Sequence, residues 1–190
     1  MFVLFIRNVH PFLAVNDPVK ADYLVVEGWL NELALEQAVT EFRANGYKKI
    51  ISIGGPIIKG SFLSEYGNNA ELTKACLVSM GIGKDSVIAV PVERVLKDRT
   101  YHCALKLKEW IREQNPDIHS MNVYTYSSHA RRTRLLYRKA FGDDLDIGVI
   151  GANNPTYDPD RWWRTSSGVR TVLSDFIAYI YARFFFHPDM

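Results

Sequence analysis

Five short runs rich in apolar residues, Tyr23–Val26, Lys49–Ile53, Val87–Val90, Asn122–Tyr126 and Asp146–Ile150, alternate along this chain with segments of helical periodicity. Each ends at an acidic residue, a serine, a glycine or a proline: Glu27-Gly28, Gly54-Gly55-Pro56, Pro91, Ser127-Ser128 and Gly151. Short apolar runs of this kind suit strands buried on both faces. The segments between them read as helices over Leu33–Asn45, Asn69–Met80, about Thr100 to Gln114, and His129–Phe141, stopped by Gly46, Gly81, Asn115-Pro116 and Gly142. Strands alternating with helices call for parallel pairing and right-handed crossovers, so the expected class is α/β: a three-layer parallel sheet of about five strands with helices on both faces. A long C-terminal helix is expected from about Arg164 to Phe185. Its stripe of Val169, Val172, Leu173, Phe176, Ile177, Ile180 and Tyr181 should pack on the domain.

The 190 residues, 47% hydrophobic and 23% charged, are enough for one ordinary globular core and argue against disorder. Residues 21–190 are expected to form a single domain. A net charge of +2 gives no overall field for nucleic acid, so no nucleic-acid partner is expected and any anion must be held by local clustering. Cys76 and Cys103 sit singly in helical patterns and read as buried free thiols; the five histidines have no ligand spacing, so no metal site is expected. Met1–Ile6 is apolar but far shorter than the roughly 20 residues of a membrane span. Residues 1–20 are read either as a strap packed on the domain or as the remnant of a membrane anchor. The compartment is left between a cytoplasmic domain and one associated with the membrane at the cell envelope.

In a parallel α/β sheet, functional groups gather at the carboxyl ends of the strands, near the switch in strand order. That rule selects Glu27 and Gly28, Gly54 and Gly55, the segment Asp98-Arg99-Thr100, and Ser127 to Arg132. The last is the most informative, because a strand there delivers a helix start carrying His129, Arg131 and Arg132, and a helix N-terminus attracts anions. Helical spacing puts Arg132 on the face of His129 and turns Arg131 away by about 100°. Glycines 54 and 55 would let a ligand approach the backbone, Asp98 would cap a helix or orient a histidine, and His102 is a candidate to join His129 across the crevice. Neither a GxGxxG nor a GxxxxGK[ST] fingerprint is present, and Ser127 and Ser128 lack the GxSxG setting of a hydrolase nucleophile. The long Ile57–Asn68 excursion has the length of a functional loop.

The segments YLVVEGW at Tyr23–Trp29, IISIGGP at Ile50–Pro56, AEL at Ala70–Leu72, DRTYHCAL at Asp98–Leu105 and YSSHARRTRLLYRKAFG at Tyr126–Gly142 occur in an order that resembles the YdcF/SanA/ElyC family, a bacterial domain group of largely unknown biochemical function. The resemblance implies a Rossmann-like fold and a polar, arginine-containing pocket at the strand ends. For one branch it implies S-adenosylmethionine as a ligand. Other branches carry an N-terminal membrane segment and are connected with cell-envelope metabolism. The asparagine that commonly follows the threonine of the family's second motif is absent after Thr100, where Tyr101 and His102 stand.

These readings converge on a pocket for a small anionic metabolite, nucleotide-like or an envelope precursor. Arg132, Arg131 and Arg99 would hold the anion with the help of Thr100, Ser127, Ser128 and the glycines 28, 54 and 55, while Glu27 positions polar groups. Asp98 would share that positioning role, orienting a histidine or the bound ligand, and His129 would give or take a proton, as an imidazole near neutrality can. The alternative expectation is a non-catalytic ligand-binding or scaffold domain of the envelope.

Overall fold

The computed structural model describes residues 2–188. Eleven main elements follow in the order α1 (Phe2–Leu13), β1 (Tyr23–Glu27), α2 (Glu32–Ala44), β2 (Lys49–Gly54), α3 (Asn69–Ser79), β3 (Val87–Pro91), α4 (Arg99–Gln114), β4 (Ser120–Tyr126), α5 (Ser127–Phe141), β5 (Asp146–Ala152) and α6 (Ser166–Phe184). The fold is α/β, as its alternating pattern requires. One sheet of order β3-β2-β1-β4-β5 carries all five strands in parallel. Residue Val25 in the central strand pairs with Ile51 on one side and Val123 on the other. The chain builds outward from β1 to β3, then returns through α4 to lay β4 against the free edge of β1. That reversal opens a crevice above the carboxyl ends of β1 and β4, as in Rossmann-like sheets generally.

Successive side chains of a strand point to opposite faces, so each strand feeds two cores. Leu24, Val26, Ile50 and Tyr124 pack under Leu35, Ala38 and Val39 of α2 and Leu77 of α3. On the other face Val25, Ile51, Ile53, Met121 and Val123 meet Ala104 and Leu107 of α4 and Tyr137 and Phe141 of α5. These are the three expected layers.

A smaller core lies outside α5. Val9 and Leu13 of α1, Val172 of α6, and Tyr157 and Trp162 from the β5–α6 connection are buried together there. The apolar run at the N-terminus is therefore the first half of a helix resting on α5 and α6; Met1 lies outside the described residues. The stripe expected on α6 is only partly used. Val172 is buried and Val169, Leu173 and Phe176 are partly so, whereas Ile177 and Tyr181 are exposed. The reason is that α6 lies on the outer side of α5 and has one packed side, so a stripe that wide cannot all be covered. Among the described residues no helix is long and apolar enough to cross a membrane.

Candidate functional site

A cavity of about 1140 Å³ lies at the strand ends, walled by Glu27, Trp29, Gly54, Gly55, Asp98, Arg99, Thr100, Ser128, His129, Arg132 and Asp175. Two helices begin at it, and both do so without a side-chain cap. The position before α4 is held by Asp98 and that before α5 by Tyr126, and neither side chain accepts a hydrogen bond from the helix start. The starts of α2, α3 and α6 follow the usual rule: Asn31 accepts from Ala34, Asn68 from Glu71 and Thr165 from Gly168. First-turn N–H groups without a cap are free donors at the positive end of a helix dipole. Asp98 also has a left-handed backbone, at φ 49°, which explains why its carboxylate does not reach its own helix.

The side-chain chemistry centres on His129. Its Nδ1 lies 2.9 Å from Asp175 Oδ1, and the Ser128 hydroxyl donates to Asp175 Oδ2 at 2.7 Å. In a neutral imidazole the nitrogen facing a carboxylate carries the proton, which leaves Nε2 with the lone pair. Arg132 Nη2 stands 3.0 Å from both ring nitrogens and 3.8 Å from Asp175 Oδ1. A guanidinium can only donate, so Nε2 is the ring atom that it engages. The side chains of Asp175 and Arg132 are 15% and 22% exposed, so the group is largely shielded from water. Burial pushes the Asp175 carboxyl up, but hydrogen bonds from His129 and Ser128 and the charge of Arg132 hold it below its ordinary value. Burial also lowers the pKa of Arg132; Asp175 and Glu27 oppose that shift and Arg99 adds to it. The Nε–H of Arg132 is buried and has no hydrogen-bond partner.

Glu27 closes the floor as the last residue of the central strand. Its Oε2 accepts from Thr125 Oγ1 at 2.6 Å and from Trp29 Nε1 at 2.9 Å, which satisfies a carboxylate that is almost fully buried. The Trp29 ring then lies edge-on to His129, with centroids 5.1 Å apart, and so links the two halves of the site.

Not every residue expected at the crevice reaches it. Glu27, Gly54, Gly55, Asp98, Arg99, Thr100, Ser128, His129 and Arg132 line the cavity; Gly28, Ser127 and Arg131 do not. Gly28 is needed for packing, since a Cβ there would come within 2.9 Å of the Asn69 carbonyl oxygen where α3 starts. Ser127 is buried against Gly151 of the neighbouring strand. Arg131 turns to α1, where it donates to the Phe12 carbonyl and stacks on the Phe12 ring. His102 is exposed and does not line the cavity. Cys103 is free and only partly buried, and it lines the same cavity. Burial, with the charge of Glu27 behind it, pushes that thiol up to about 12.

Asp175 is the residue that sequence reasoning missed. Its neighbours Arg170, Thr171 and Ser174 on α6 also face the cavity, while the stripe beside them packs inward. A polar face of Arg170, Thr171, Ser174 and Asp175 running along one side of an otherwise apolar helix was the signal available.

Fold and site together define a class: a parallel α/β domain with a charged cavity at its topological switch, containing a carboxylate–imidazole–guanidinium chain. A scan of protein-family models and a search of curated proteins each gave no match to the chain. Among the described residues there is no cluster of three or more potential metal ligands.

Proposed function

We propose that the cavity binds a small anionic metabolite and that His129, oriented by Asp175, exchanges a proton with it. The observation that carries this reading is the meeting of two uncapped helix starts with the partly unsatisfied guanidinium of Arg132 in one cavity. Free N–H donors and a shielded cation are the groups that a phosphate or carboxylate requires. Asp175 accepts from Nδ1 and so directs the lone pair of Nε2 toward Arg132. An anion that draws Arg132 to itself would free Nε2 to accept a proton from a neighbouring ligand group. The Ser128 hydroxyl is committed to Asp175, which argues against a serine nucleophile.

S-adenosylmethionine, implied for one branch of the family that the sequence resembles, is compatible with the donor set. Arg132 suits its carboxylate, Asp98 suits its amine or hydroxyls, and the half-exposed Trp29 suits its ring. Once bound, it would supply a transferable methyl group. The alternative reading, a binding domain without chemistry, draws on the same cavity, where the Ser128 hydroxyl is committed to Asp175 and burial pushes the Cys103 thiol up.

The test is a thermal-shift screen with orthophosphate, nucleotides, sugar phosphates and S-adenosylmethionine. A ligand at about 100 times its Kd adds about 2.7 kcal/mol of stability. That gain should disappear in Arg132→Gln and persist in His129→Gln, which should instead lose turnover of any substrate found. An equal gain in wild type and Arg132→Gln would refute the anion assignment, and binding without turnover of any hit would favour the alternative.

A further inference from the structure

The cavity has charged groups at its floor and, beside the exposed Glu93 and Arg94, several large apolar side chains at its mouth. The mouth is formed by two segments, the loop after β2 and the segment between β3 and α4. Ile58, Phe62, Leu63 and Leu96 on them are between 78% and 101% exposed. Ile58, Phe62 and Leu96 line the same cavity as Glu27 and Arg132, and Leu63 adjoins Phe62. The longer loop is held at its base, where Pro56 and Asn68 form an isolated bridge and Asn69 donates to the carbonyls of Gly55 and Pro56. Its apolar tip thus projects from a fixed stem. Three large apolar side chains, Ile58, Phe62 and Leu96, are thus left in water at one opening, and a contiguous apolar surface of that kind is a mark of interaction sites.

We infer that the ligand is a single-chain amphipathic anion, entering head first, with its hydrocarbon chain lying along Ile58, Phe62 and Leu96. The inference rests on the anion-binding reading of the floor and adds the chemical class of what is attached to the anion. Two features of the cavity favour this occupant. The apolar rim is continuous with the charged floor in one space, and a volume of about 1140 Å³ exceeds what a bare phosphate or small acid would fill. A hydrocarbon chain also supplies what the exposed rim lacks, an apolar surface to cover it.

The test is calorimetric titration of the full chain with orthophosphate and with butyl, hexyl and octyl phosphate, each below its micelle-forming concentration, together with the matching alkanoates. Affinity should rise about two- to fourfold per added methylene in at least one series. In the double variant Phe62→Ser, Leu96→Ser, orthophosphate affinity should be unchanged and the dependence on chain length should flatten; both positions are exposed, so the fold is kept. Affinity independent of chain length, or a dependence that survives in the double variant, overturns the inference. So does equal binding to phosphatidylcholine vesicles free of the alkyl anions, since the rim would then meet a bilayer and not a single chain. If octanol binds as tightly as octyl phosphate and Arg132→Gln changes neither, the anion reading of the floor fails while an apolar rim site survives. The two claims therefore fail separately.

Discussion

At Asp175 a single carboxylate holds three partners, accepting from Ser128 and His129 and lying near Arg132. Because its folded-state pKa lies below the ordinary value, its contribution to stability is fully present above the ordinary carboxylate range, about pH 4, and is lost as pH falls through the folded value. Asp175→Asn is expected to cost about 1.5–3 kcal/mol at neutral pH, in proportion to the charged hydrogen bonds removed. It should also flatten the acid limb of the stability curve, which urea denaturation from neutral pH into the acid range would measure. Asp98 is a separate case, because its cost lies in the backbone. With φ at 49° and no cap made by its side chain, Asp98→Ala should be about 1 kcal/mol less stable than Asp98→Gly in the same assay. Sequence reasoning found His129, Arg132 and Glu27 from strand ends and helical spacing alone. It passed over Asp175, which lies 46 residues from His129 on the polar face of a helix that reads as amphipathic, where a lone acid is normally a solvated one.

The element that carries Asp175 owes its position to packing outside the sheet. Helix α6 rests on α5 through the small core it shares with α1, and Trp162 joins that core by donating its indole N–H to the Ile6 carbonyl at 3.0 Å. Trp162→Ala should cost about 3–5 kcal/mol by the cavity it leaves. Amide exchange should show α6 opening more often while β1, β2 and β4 stay protected, because the two main cores do not include Trp162. An equal loss of protection in the central strands would mean that the outer core and the sheet unfold as one unit. The five strands and the helices α2 to α6 were legible to within a residue or two, since glycine, proline and asparagine mark their ends, whereas the helical form of α1 (Phe2–Leu13) was not read from its short apolar run. The structure starts α5 at Ser127 and α4 at Arg99, slightly earlier than periodicity placed them. The ordered turn at Pro159–Arg164 was not foreseen, because a segment rich in Pro, Asp and Asn reads only as a bend until its tryptophans find a core.

At the scale of the molecule, the cavity exists because the strand order reverses between β1 and β4, bringing the starts of α4 and α5 to one opening although 28 residues separate Arg99 from Ser127. An anion bound there should slow amide exchange at Arg99–Tyr101 and Ser127–His129 and leave the capped starts of α2, α3 and α6 unchanged. Hydrogen–deuterium exchange with and without saturating orthophosphate reads this directly, and protection spread evenly over the starts of α2 to α6 would count against a local site. The sequence by itself determined the α/β class, the parallel sheet and the candidates at the strand ends, because apolar period and chain punctuation are local properties of neighbouring residues. Only the tertiary structure decided that Arg131 leaves the crevice for Phe12, that Gly28 is a packing contact and that Asp175 completes the site. Those outcomes depend on which surfaces of separate elements meet, and no local pattern along the chain encodes that meeting.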